Sequence, residues 1–152
     1  MSDRLSKYRK HTQWRRNEAK MRFCVELCHS SRAGDPKFDE PAVLNLWTLY
    51  AYIYPGHPKF AALCLVGDRY YDAGLREHLG DDLPLHCGAT FFHIHRDGDG
   101  KACSVQFGCD YDHLHDDRYR RADCGESMIA EADDLHDYLV SRLEPKEATD
   151  GK

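Results

Sequence analysis

Apolar residues at helical spacing mark both ends of the chain. Residues 3–29 contain neither glycine nor proline, and two sets of residues in this segment recur every three or four positions: Leu5, Tyr8 and Thr12, then Ala19, Phe23 and Leu27. This pattern predicts one long helix, or two joined helices, ending near Gly34 and Pro36. Residues 125–143 show the same spacing and end before Pro145, which predicts a C-terminal helix.

The middle of the chain has the alternating pattern of strands. Residues 47–54 (WTLYAYIY) are aromatic and β-branched, and residues 55–58 (PGHP) end them. Two further runs, GATFFHIHR and KACSVQFGC, flank the turn DGDG and predict a β-hairpin. If Arg96 pairs with Lys101, the apolar residues Phe92 and Ile94 share one face of this hairpin with Val105 and Cys103.

These elements predict an α+β fold, in which a small antiparallel sheet with a central β-hairpin is covered by N-terminal and C-terminal helices. The chain length of 152 residues suits one domain. We expect this domain to span residues 1–145, with a basic helical arm at 1–32 and a disordered tail at 146–152.

Charge is divided unevenly between the two parts of the chain. The net charge is −5, but residues 1–32 carry nine Lys/Arg against three acidic residues, which leaves −11 for the remainder. The basic helix is expected either to contact nucleic acid or to balance the acidic body, and the second alternative is favoured.

Cysteine usage and hydropathy predict the compartment. The seven cysteines and the absence of an apolar export segment predict reduced thiols and a cytoplasmic location. No apolar run approaches the length of a membrane span, so no membrane partner is expected.

Residues 105–117 (VQFGCDYDHLHDD) hold the strongest candidate for chemistry. Extending the hairpin register brings His86 beside the acidic segment after the second strand, in which Asp110, His113 and Asp116 are spaced by three. Imidazole and carboxylate together suit zinc, iron or manganese. The alternatives are a metal site and a solvated polar loop, and spacing alone favours the loop.

Two other groups of side chains are weaker candidates for chemistry. His93 and His95 project from one strand face as a candidate ligand pair, although exposed strand histidines are commoner. Cys109 with His113 or His86 is a weaker candidate for a nucleophile pair, because no feature of the sequence indicates a depressed thiol pKa.

Three stretches of the chain resemble a family of small uncharacterised proteins encoded by phages and prophages. They are residues 56–58 (GHP), residues 86–91 (HCGATF) and residues 108–116 (GCDYDHLHD), within a region of resemblance covering about 47–116. Cys87, Cys109, Tyr111 and His115 depart from the family pattern. The resemblance implies a functional polar site formed by His57, His86, Thr90, Asp110, His113 and Asp116, but it implies no particular reaction.

Two functions follow as hypotheses. In the first, the chain is a small phage or mobile-element accessory protein that binds a divalent metal, with zinc expected, through His86, Asp110 and His113. Asp116 and His57 are then the candidate catalytic residues of a metal-dependent hydrolase. In the alternative, it is a non-enzymatic binding protein that blocks a host factor or a nucleic-acid complex. Both would act in the host cytoplasm.

Overall fold

A computed structural model of the chain describes residues 9–40, 42–67, 69–85, 88–110 and 125–143. Within these residues, five strands form one antiparallel sheet: β1 (Arg9–Asn17), β2 (Phe23–Ala33), β3 (Val43–Ile53), β4 (Phe91–Arg96) and β5 (Ala102–Asp110). Their spatial order is β1-β2-β3-β5-β4. Three helices accompany the sheet in the same residues: α1 (Phe60–Leu63), α2 (Tyr71–Leu79) and α3 (Gly125–Val140), with a 3-10 turn at Pro36–Phe38.

The two faces of the sheet differ because side chains alternate along each strand. One face carries the core, to which the three central strands contribute Phe23, Val25, Leu27, Leu49, Ile53, Val105 and Phe107. The buried apolar side chains of all three helices, Leu63, Leu75, Leu79, Met128, Ala132, Leu135 and Leu139, belong to this same core. The described helices therefore form a layer on one side of the sheet.

The predicted N-terminal helix is wrong, and with it the predicted fold class and the helical arm at residues 1–32. Residues 9–17 and 23–33 are instead two paired strands, so the molecule is mainly an antiparallel sheet with short helices. Phe23 and Leu27 are four residues apart, a spacing that places them on one face of a helix and equally on one face of a strand. Val25, which lies midway between them, is also buried on this face, and a spacing of two residues is that of a strand.

The turn between β1 and β2 forms without glycine or proline, and this explains why the sequence did not reveal it. Met21 adopts the left-handed conformation, with φ 57°, which an unbranched residue tolerates only when other contacts fix it. The Glu18 carboxylate provides these contacts, because it accepts hydrogen bonds from the Arg22 backbone amide at 3.0 Å and from the Arg22 guanidinium at 2.7 and 3.0 Å.

The predicted hairpin of residues 88–109 and the predicted C-terminal helix are confirmed as β4–β5 and α3. The hairpin register differs by two residues, because an irregularity between His95 and Arg96 shifts the pairing. Ile94 pairs with Val105 rather than with Cys103. A shift of two keeps Phe92, Ile94 and Val105 on the core face, so His93 and His95 still lie opposite the core. Cys103, expected on the core face, is exposed at the irregularity. The predicted tail, residues 146–152, is outside the described part of the chain.

Candidate ligand-binding face

The face of the sheet opposite the core is rich in tyrosine, histidine and polar residues. Strand β3 places Tyr50 and Tyr52 at its centre, paired with residues of β2 on one side and of β5 on the other. We call this surface the tyrosine face and define it by Thr12, Arg15, Cys24, Glu26, Tyr50, Tyr52, Phe91, His93, His95, Gln106 and Gly108.

Five rings of the tyrosine face form a continuous aromatic cluster across β3 and β4. The Tyr50 ring lies 5.5 Å from Phe91 in an edge-to-face arrangement and 6.5 Å from Tyr52. Tyr52 in turn stacks on His95 at 6.4 Å, and His95 lies 4.5 Å from His93. These separations are at or near those of favourable aromatic pairs. The Phe91 side chain is 38% exposed, so the cluster presents ring surface to solvent.

Gly108 is the residue that lets the rings of β3 and β4 meet. It lies in β5 between the two strands, paired with Tyr50 on one side and Phe91 on the other. A β-carbon at this position would collide with the Leu49 carbonyl oxygen and would lie 2.9 Å from Cδ1 of Tyr50. Only glycine therefore fits here, and the Tyr50 and Phe91 rings approach each other beside its backbone.

A hydrogen-bond network around Glu26 holds the other half of the face. The Glu26 side chain is only 12% exposed and accepts hydrogen bonds from Thr12 at 3.1 Å, from Arg15 at 3.4 Å and from the Tyr52 hydroxyl at 3.4 Å. Burial, and then the negative charge of Glu26, raise the pKa of Tyr52. Tyr52 consequently remains protonated and holds its ring in place through this hydrogen bond.

The Cys24 thiol of this face is not activated. The Cys24 sulfur lies 3.4 Å from the Tyr54 hydroxyl, and burial raises the pKa of the Cys24 thiol and raises that of Tyr54 to about 12. Cys109 is on the other side of the sheet, packed in the core at 2% exposure. Neither thiol is in the electropositive, accessible setting that a cysteine nucleophile requires.

His95 is fixed by a neighbouring strand. One ring nitrogen, Nε2, lies 2.7 Å from Oε1 of Gln106, which pairs with His93 in the register of β4 and β5. The His95 ring is therefore held both by this hydrogen bond and by its contact with Tyr52.

Of the residues predicted to form a metal site, the structure describes one ligand and one catalytic candidate. His86, His113 and Asp116 lie outside the described residues. Asp110 ends β5, where its backbone amide donates to the Thr90 hydroxyl at 3.2 Å. In the parts of the chain that the structure describes, no three His, Cys, Asp or Glu side chains are grouped as metal ligands. The zinc site stays a prediction.

His57, the catalytic candidate, lies beyond one end of β3, whereas Asp110 lies beside the middle of that strand. Asp110 pairs with Thr48, whereas His57 follows the last residue of the strand, Ile53. The five residue steps from Thr48 to Ile53 correspond to about 17 Å of extended chain. The structure does not bring His57 and Asp110 together.

His57 is instead a packed, neutral side chain. It is 3% exposed, its Nδ1 accepts from the Lys59 amide at 2.9 Å, and its buried Nε2 has no hydrogen-bond partner among the residues that the structure describes. Burial, assisted by the charge of Arg22, lowers its pKa to about 4. The Phe23 ring lies between His57, at 6.3 Å, and a second buried histidine, His136, at 4.9 Å. A catalytic role for His57 stays a prediction.

The tyrosine face was not predicted as a site, although its local signals were present. Tyr50 and Tyr52 alternate along a strand, and His93 and His95 alternate along another. The local pattern does not show that β3 pairs with β5, and this pairing places the two sets of side chains on one face of the sheet.

Comparison of the chain with protein-family models, curated proteins and solved structures gave no match. The resemblance to phage and prophage proteins stays a prediction. No helix in the described ranges is long and apolar enough to cross a membrane.

Proposed function

We propose that this chain is a binding protein whose ligand lies on the tyrosine face and stacks on the aromatic cluster. One observation supports this most directly: the cluster presents partly exposed rings on the side of the sheet away from the core. The alternative expected from the sequence, a protein that blocks a host factor or a nucleic-acid complex, is likewise non-enzymatic, but it did not involve this face. Binding by this face needs neither a nucleophile nor a metal.

The cluster is suited to binding because its rings are held before any ligand arrives. The rings project from paired strands, and Tyr52 and His95 are further fixed by hydrogen bonds to Glu26 and Gln106. Aromatic side chains have two rotatable bonds, so little conformational entropy is lost when a ligand contacts them. A planar ligand that stacks on such rings gains about 1–3 kcal/mol per ring system.

Three polar side chains at this face, Glu26, Cys24 and Tyr54, hold the face together. The Glu26 carboxylate already accepts three hydrogen bonds, and the Cys24 thiol and Tyr54 hydroxyl are protonated at neutral pH. The protonated Cys24 and Tyr54 do not provide the anion that a nucleophile needs. These groups instead position the rings and the strands that carry them.

The proposal is tested by NMR titration of the protein with small planar probes, namely the four ribonucleosides and indole. We expect saturable amide shifts at Tyr50, Phe91 and His95 with at least one probe, and their loss in Phe91→Ala. The matched control is Phe38→Ala, because Phe38 is 75% exposed in the 3-10 turn. The absence of saturable shifts on the tyrosine face with every probe would refute the proposal.

The metal-dependent hypothesis is the second candidate, and Asp110, partly buried at the end of β5, is the expected metal ligand that lies within the described residues. Elemental analysis of protein purified without a histidine tag tests it, alongside a His86→Ala/His113→Ala variant. Near-stoichiometric metal that is lost in the variant would favour this function. Metal-free, folded wild-type protein would eliminate it.

A further inference from the structure

We infer that the ligand of the tyrosine face is a single-stranded nucleic acid, with bases stacked on the aromatic cluster and the phosphate backbone extending toward β1. This inference rests on the proposed function and names its ligand class. Stacking on a sheet is a recognised way to bind unpaired bases, since every base has a planar face.

The dimensions of the sheet suit a strand that crosses it. The cluster lies on β3 and β4, whereas β1 is the opposite edge of the sheet. Four strand spacings of about 4.8 Å separate β4 from β1, a width of roughly 19 Å. Sheets of similar width in RNA-recognition modules stack two or three bases.

The basic edge strand supplies charge complementarity. Strand β1 has the sequence RKHTQWRRN, with four Lys/Arg and no acidic residue. Its Arg15 pairs with Glu26 of the tyrosine face, and the Arg15 side chain is 45% exposed. Arg16 lies on the opposite face, where it contacts Asp133 at 2.6 Å and Asp137 at 3.3 Å. Arg15 is therefore the described cation of β1 that is available to a phosphate on the tyrosine face.

The negative net charge of the chain is compatible with this ligand because much of it lies on the far side of the sheet. Helix α3 carries Glu126, Glu131, Asp133, Asp134 and Asp137 and no Lys or Arg, and it packs on the core side. The sheet lies between these carboxylates and the tyrosine face, and two of them, Asp133 and Asp137, are paired with Arg16. At physiological salt the screening length is about 8 Å, so their repulsion of a phosphate is weak.

Glu26 is the acidic residue nearest to Arg15, and its charge is already engaged. Its carboxylate is 12% exposed and is bound by Thr12, Arg15 and Tyr52. Arg15 has further guanidinium donors beyond the one that contacts Glu26. A phosphate can therefore bind Arg15 without displacing Glu26.

The experiment measures fluorescence anisotropy of 5′-labelled (dT)12, (rU)12 and a 12-base-pair duplex at 50 and 200 mM salt. We expect the single strands to bind more tightly than the duplex. Phe91→Ala and Tyr50→Ala should each weaken single-strand binding about tenfold, the effect of losing one stacked base. Arg15→Gln should weaken it and reduce the slope of log K against log salt by about 0.7, the value for one phosphate contact on a single strand.

Matched controls separate these effects from general loss of charge or ring surface. Phe38→Ala removes a 75% exposed ring outside the tyrosine face, and Arg69→Gln removes an exposed cation outside the sheet. Both should bind like the wild type. Circular dichroism in the near ultraviolet establishes that every variant is folded.

The outcomes distinguish this inference from the proposed function. Nucleoside shifts on the tyrosine face without oligonucleotide binding at 50 mM salt would overturn the inference and leave the proposed function standing. Oligonucleotide binding that is unchanged in Phe91→Ala and Tyr50→Ala, or that is equal for duplex and single strands, would also overturn it. If neither nucleosides nor oligonucleotides bind the face, both fail.

Discussion

Acidification to pH 4 should destabilise this protein through His57. The imidazole is 3% exposed, its Nε2 has no hydrogen-bond partner within the described part of the chain, and the cation of Arg22 disfavours its protonation. Protonation would therefore bury a positive charge that no described acceptor stabilises directly. For this reason the folded protein resists protonation of His57, with a pKa of about 4 against an ordinary value of 6.5.

The sign and size of the effect follow from this difference. Between pH 6.5 and pH 4 the unfolded chain binds a proton at this residue and the folded chain does not, so acid favours unfolding. Stability is complete above about pH 6.5 and falls as the pH drops to 4, by about 3 kcal/mol in total. Burial also lowers the pKa of His136, which adds to the loss in the same direction.

The Glu18–Arg22 pair acts in a lower pH window. The Arg22 guanidinium holds the pKa of Glu18 well below its usual 4.5. The stabilisation that this carboxylate provides is therefore complete above pH 4.5 and is lost as the pH falls through its depressed pKa. A loss of stability between pH 6.5 and 4.5 consequently reports on the histidines and not on this pair.

Urea unfolding at several pH values from 7 to 4 measures this effect. The variant His57→Asn removes the titrating group and keeps an oxygen that can accept from the Lys59 amide, as in an Asx turn. We expect its stability to fall by about 3 kcal/mol less than that of the wild type over this range. The control is His93→Gln, which removes an exposed histidine. Parallel pH profiles for the wild type and His57→Asn would refute the reasoning.

Three further changes test the packing that positions the tyrosine face and the helices. Gly108→Ala should lower the free energy of unfolding by about 2–3 kcal/mol, because the added carbon overlaps neighbouring backbone. Calorimetry measures this loss, and the control is Gly98→Ala, because Gly98 lies in an open turn. Glu18→Gln should lower the free energy of unfolding by about 2 kcal/mol at pH 7, because it removes a buried charge from the pair with Arg22. Urea unfolding measures this, and an unchanged midpoint would contradict the role of the pair. Tyr138→Phe should lower the free energy of unfolding by about 1 kcal/mol, because the Tyr138 hydroxyl donates to the Leu79 carbonyl at 2.7 Å. Urea unfolding measures this as well, and equal stability would show that the hydrogen bond contributes nothing.

The parts of the fold that were predictable from the sequence are those with local signals. The β4–β5 hairpin has alternating residues on both sides of a glycine-rich turn, and α3 has a long apolar stripe. The β1–β2 hairpin has no such turn, since its left-handed residue is Met21 and the Glu18–Arg22 pair fixes it. This segment is rich in Arg, Lys and Glu, which have high helix propensity, so a helix was predicted. The pairing of the two strands in the folded protein outweighs that propensity.

The candidate site was less predictable than the fold because it depends on long-range pairing. Tyr50 and Phe91 are distant in sequence and become neighbours only because β5 inserts between β3 and β4 and presents Gly108 there. The sequence indicated an alternating tyrosine strand and an alternating histidine strand, but not that they share a face. The predicted metal cluster depended on His86, His113 and Asp116, which lie outside the described residues.

The aromatic cluster has two physical explanations, and one substitution separates them. Glycine in a strand interior lacks a side chain to pack, so the rings of Tyr50 and Phe91 could serve only to cover Gly108. A Phe91→Leu variant retains most of the apolar cover but has no planar face. If covering is the whole role, this variant should be about as stable as the wild type and bind planar probes equally. If the ring stacks on a ligand, stability should again be retained while binding is lost. Because Phe91 is 38% exposed, more of its surface faces solvent than the cover of one glycine requires, and we expect the second result.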